Sequence, residues 1–196
     1  MKKNSKKKIN KNNLGQYRKC FNYIKESKKY IYTAITIFSL FIIIGFIFPV
    51  FFKEKIFTLV KDLTEKTSGM NAFELIRFIF FNNLKSAFLA LILGVGFCIV
   101  PFIDAVANGY LIGFVARYSV DKSGALVLWR LLPHGIFELP AIIISIGLGL
   151  KLGTLLFRKG NFKRELVESL RVFIFVILLL LVFAAIIEGI LVFYLQ

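Results

Sequence analysis

Two apolar runs decide what this chain can fold into. Tyr30 to Phe52 carries no charged residue, and Val172 to Leu195 carries only Glu188. Each is long enough to cross a bilayer, which takes about 20 residues of helix. Backbone placed in hydrocarbon must satisfy its own hydrogen bonds, so single runs of this kind fold as helices. The sequence between them is almost as apolar. In all, 58% of the 196 residues are hydrophobic, against about 45–50% in soluble domains. The expectation is an all-α, polytopic membrane protein.

The formal net charge is +15. The basic residues gather at two places, residues 1–29 and Leu150 to Arg171, in an otherwise apolar chain. That pattern fits the flanks of membrane spans on the cytoplasmic side better than a nucleic-acid surface, so no nucleic acid is expected as a partner. The first dozen residues bury almost nothing and read as disordered. Leu14 to Ile24 interleaves Tyr17, Phe21, Tyr23 and Ile24 with charges, as a helix at the lipid surface does. Cys20 and Cys98 sit in unlike settings and read as free thiols.

With both basic clusters inside, the chain crosses an even number of times between them. The expected spans are 30–52, 86–101, 103–118, 136–153 and 172–195, with the N-terminus inside, and an interfacial helix over 72–84. Residues 1–29 form a separate basic tail before a transmembrane domain over 30–196. Pro101 is expected to break or kink the chain between the second and third spans. Asp104, Asn108, Gly109 and Gly113 interrupt the third, which makes the central helices short or broken. The alternative is three spans with a re-entrant pair at 103–118 and 136–153. Gly94, Gly109, Gly113, Gly149 and Gly153 mark places where helices can approach closely.

The polar residues inside the apolar sequence are the candidate site. Pro133 to Ala141 reads PHGIFELPA and holds the only histidine, His134. Glu138 follows four residues on, on the same helical face. In the five-span arrangement His134, Glu138, Glu188, Asn82 and Asn83 lie toward the outer leaflet, and Asp104 and Asn108 toward the inner. Ionisable groups at such depth are costly and need partners or a cavity. Their simplest job is to fix the packing of broken helices. A second reading is a proton relay or transport site, because discontinuous helices often line one. His134, Glu138 and Glu188 would supply three permitted zinc ligands, but one histidine cannot build the H-E-x-x-H site of zinc hydrolases. No G-x-S-x-G and no phosphate-binding loop occurs. Neither a metal, a cofactor nor an enzymatic activity is expected.

Asn108-Gly109, Gly113, PHGIFELPA at 133–141, Gly147 and Gly153, together with Asn82-Asn83 and Ile187-Glu188, resemble the stage II sporulation protein M family. The resemblance covers residues 30–196, and PHGIFELPA is its specific part. It implies an integral membrane protein of about five spans. In endospore-forming bacteria it implies a role in thinning septal peptidoglycan, as a membrane scaffold for partner wall hydrolases and not as the hydrolase. The family also occurs in bacteria that do not sporulate and in archaea. The expected partners are thus the bilayer and other membrane or envelope proteins, and the long basic tail departs from a plain sporulation reading.

Overall fold

A computed structural model describes residues 15–96, 98–158 and 160–195, with side chains for all of these except 129–134 and 195. Every regular element among the described residues is helical. In chain order these are α1 (15–26), α2 (Lys28–Ile47), α3 (Lys53–Thr67), α4 (Ala72–Ile92), α5 (Ile99–Ser123), α6 (Leu132–Thr154), α7 (Phe162–Val172) and α8 (Leu178–Leu195). A short 3-10 turn, Leu93–Val95, closes α4, and a π turn, Phe173–Ile177, joins α7 to α8. Among the described residues five segments are long and apolar enough to cross a membrane: Lys28–Ile47, Ala72–Val95, Ile99–Ser123, Gly135–Thr154 and Phe162–Tyr194.

The bundle is organised around α6. A helix that is apolar all round belongs in the interior, and 56% of the α6 span is buried, against 17% of α2. One side of α6 sends Ala141, Leu148 and Leu152 into a core shared with Ala87 and Leu91 of α4 and with Val172, Ile177 and Leu181. The other side sends Ile142, Ile146 and Leu150 against Ala34 and Phe38 of α2, Ala90 of α4 and Ala105 of α5. Glycines let these helices touch backbone to backbone. A Cβ at Gly113 would run into the Ile42 carbonyl, and one at Gly109 into that of Phe38. Gly149 lies against the Ala90 carbonyl, Gly94 against the backbone of Gly149, and Gly153 against the Gly94 carbonyl.

The helix limits differ from the sequence expectation in four places. The interfacial helix 72–84 and the start of the span 86–101 are one element, because α4 runs from Ala72 to Ile92 without a break. Asn71 opens it with a capping box: its side chain accepts from the Glu74 N–H at 3.0 Å, and the Glu74 carboxylate accepts from the Asn71 N–H at 2.9 Å. Pro101 does not break a helix either. It lies in the first turn of α5, where a missing N–H costs no intrahelical bond. The chain turns earlier, through Leu93–Val95 and Cys98, whose φ is +63°. The third span is therefore not short: α5 has 25 residues, about 37 Å at a 1.5 Å rise. Its polar residues are absorbed locally, since the Asn108 side-chain amide donates to the Asp104 carbonyl one turn back at 3.0 Å. The final span begins before Val172, at Phe162, and passes through the π turn without a break.

Two elements lie beside the spans. Helix α1 is not a free tail, because Cys20 and Tyr23 are buried in the same core as Val172 and Phe173. The first dozen residues lie outside the described ones. Helix α3 is amphipathic. Ile56 is buried against Tyr110 and Phe114 of α5 with Phe57 packed beside it, while Lys53, Glu54, Lys55, Lys61, Asp62, Glu65 and Lys66 are exposed.

Candidate functional site

Three polar regions lie in the apolar bundle. We call the end bearing α1 and α7 the basic end and the opposite one the far end.

The first region is toward the far end. Helices α3, α4 and α8 line an open cavity of about 270 Å³. Asn82 and Asn83 of α4, Glu188 of α8, and Thr64 and Thr67 of α3 supply its polar lining. Asn83 is buried, and the Asn82 amide is 3.5 Å from its side-chain oxygen. The sites are registered by close packing of α8 on α4, where Gly189 lies against Ile76. Three of the residues singled out in the sequence are thus brought together. Glu138 is half-buried on α6 and does not line this cavity. Its neighbour Phe137 packs on Phe183 of α8 with ring centroids 6.1 Å apart. The His134 side chain lies outside the described ones.

The second region begins one turn further along α4 and lies between α4 and α5. Ser86 of α4 lies 3.5 Å from Asp104 Oδ1 of α5, and the Asn108 amide donates to the same oxygen at 3.0 Å. Asp104 Oδ2 is buried with no hydrogen-bond partner among the described residues. Beside it α4 and α6 are in direct contact, where the Ser145 hydroxyl donates to the Ala87 carbonyl.

The third region was not anticipated. Lys151, which the sequence places in a basic cluster, is 4% exposed. Its ammonium lies 2.8 Å from Glu165 Oε2 of α7, 3.0 Å from Ser27 Oγ and 3.8 Å from the centre of the Tyr23 ring. The Tyr23 hydroxyl lies 2.8 Å from Glu165 Oε2 and 3.0 Å from Ser169 Oγ. Burial foremost, and then the Glu165 carboxylate, push this hydroxyl well above its ordinary pKa against the pull of the Ser169 bond. It therefore remains a donor to Glu165 and accepts from Ser169. Arg164 to Glu26 at 3.1 Å adds an exposed pair between the same helices. The network joins α1, α6 and α7. The available signal was Lys151 alone between apolar residues in GLGLKLGT, where a topology charge would have no apolar residues after it.

A five-helix bundle with polar groups enclosed between apolar helices is an all-α polytopic membrane protein. No group of three or more His, Cys, Asp or Glu poised to hold a metal occurs among the described residues. Residues 34–192 match the family described as Stage II sporulation protein M, and the chain belongs to that family. A stretch of 73 residues is 37% identical to an uncharacterized protein of Methanocaldococcus jannaschii, covering 36% of this chain and 41% of that protein. The chain thus matches less than half of that relative's length. No solved structure matches.

Proposed function

We propose that this protein is a non-enzymatic scaffold of the cell membrane, with its N-terminus in the cytoplasm, that assembles with other membrane or envelope proteins. In a source that sporulates, those partners would be the wall-remodelling proteins of the septum. One observation carries the reading. The molecule offers charged surface at both ends: the exposed face of α3 with Lys53, Glu54, Lys61, Asp62 and Glu65 at one, and α1 with α7 at the other. The orientation rests on the basic residues of α1, α7 and the tail.

The cavity lined by Asn82, Asn83 and Glu188 supports a second reading, a small transporter or channel component. Proteoliposomes separate the two. The scaffold reading expects no proton or solute flux, and expects photo-crosslinkers on the exposed face of α3 to capture the same envelope protein in wild type and in Glu138→Gln or Glu188→Gln. Flux that disappears in either variant would give the protein to the second reading.

A further inference from the structure

A groove of about 430 Å³ runs between α3 and α5 and meets the second polar region at Asn108. Ile56 and Leu59 form one wall, and Phe102, Ile103 and Val106 the other. From Phe102 to Leu111 it follows α5 for about 13 Å at a 1.5 Å rise. Leu59, Phe102 and Ile103 are exposed. The groove lies along a helix long enough to span the membrane, so hydrocarbon is its natural filling.

The groove is a built feature. The chain leaves α2 through an elbow at Phe48–Phe52 that ends on Phe52 at φ +57°, a left-handed conformation that costs a bulky residue roughly 1–2 kcal/mol. Tyr110, on the groove wall, holds this elbow. Its hydroxyl lies 2.9 Å from the Phe48 carbonyl and 3.0 Å from both the carbonyl and the N–H of Phe51. The elbow sets Lys55 at the rim.

Among the described residues Lys55 is the only charged one lining the groove, and none of their carboxylates lies within ion-pair distance of it. Its ammonium lies 6.0 Å from the Phe52 ring centre. Lys53, two residues before, likewise has a ring contact, with Phe57 at 6.0 Å, and no ion pair among the described residues. Asn108, the other polar lining group with a side-chain amide, is already bonded to Asp104. A long apolar channel with an uncommitted cation at its end, where a spanning helix gives way to a charged surface helix, matches one kind of molecule. We propose that the α3–α5 groove binds one chain of a long-chain anionic glycerophospholipid, with the phosphate held at Lys55. The lipid would fill the space between α3 and the bundle and fix how α3 is presented.

Native mass spectrometry of the purified full chain tests this, after exchange into micelles doped with equal amounts of phosphatidylglycerol and phosphatidylcholine. Wild type is expected to retain one phosphatidylglycerol in preference to phosphatidylcholine. Lys55→Glu, an exposed change that leaves the fold intact, should lower that retention about tenfold or more, from the reversed charge beside the phosphate. Ala107→Trp, which fills the groove with an indole, should remove the adduct. Lys163→Glu, on α7, should leave it unchanged. Equal retention of both lipids by wild type, or retention unaffected by Lys55→Glu, would overturn the proposal. So would equal loss in Lys163→Glu, which would reduce the effect to net charge, or a dimer that buries Ile103 with no lipid bound.

Discussion

Replacing Lys151 by methionine removes one charge from the basic end and should loosen a whole helix. The methionine fits the same apolar path but leaves the Glu165 carboxylate, whose side chain is 13% exposed, without the ammonium 2.8 Å away. Breaking a buried pair by deleting one partner costs about 3–5 kcal/mol, because a charge is left uncompensated. The lower end applies, since Glu165 keeps its bond from the Tyr23 hydroxyl. A loss of about 3 kcal/mol is roughly 150-fold in an equilibrium constant. Because the pair joins α6 to α7 and Tyr23 ties α1 to both, the loss should fall on the docking of α1. Trypsin reports it directly, since Arg18, Lys19 and Lys25 are exposed on α1, and cleavage follows the open population when reclosing is fast. We expect cleavage within α1 to accelerate by about two orders of magnitude. The double variant Lys151→Met, Glu165→Leu should recover most of the protection, because apolar residues replace a buried pair at little cost. A single variant that resists trypsin as wild type does, or a double variant no better than the single, would refute the reasoning.

Three further outcomes follow from the packing. Gly113→Leu should prevent α2 from seating on α5, because even a Cβ there meets the Ile42 carbonyl; a loss of about 3 kcal/mol or more in a denaturation series in detergent is expected. Tyr110→Phe removes the hydroxyl that holds the α2–α3 elbow, at about 1–3 kcal/mol for the groups left unbonded, and faster hydrogen exchange confined to 48–57 would show it. Asn71→Ala should cost about 1 kcal/mol by removing the cap of α4, read as faster exchange of the Glu74 amide with the rest of α4 unchanged.

Much of the architecture could be read from the amino acids because bilayer-length apolar runs admit little besides helices. The uncharged run at 30–52 announced α2 in this way. Pro101 and the polar residues after it misled, since a proline is disruptive inside a helix and harmless in a first turn, and the sequence does not say where the turn begins. Asp104 and Asn108 looked like interruptions but bond to each other within one turn. Helix α3 was missed because its charges mask the short stripe of Ile56, Val60 and Leu63, and only its partners give that stripe a place, α5 for Ile56 and the cavity shared with α4 and α8 for Val60 and Leu63. Of the candidate polar residues, Asn82, Asn83 and Glu188 converge on one cavity, which depends on the register of α8 against α4 at Gly189 and Ile76. The apolar setting of Lys151 sets it apart from a topology charge, but its partners come from Ser27, more than a hundred residues away, and from α7, which the sequence does not show.

Sidedness labelling tests the account most directly, in a chain with Cys20 and Cys98 replaced by serine and a single cysteine placed at Ser123 or Asn161. These exposed positions close α5 at the far end and open α7 at the basic end. The account predicts that an impermeant maleimide labels Asn161→Cys only from the cytoplasmic side and Ser123→Cys only from the opposite side. Labelling of both from the same side would contradict the five-crossing bundle.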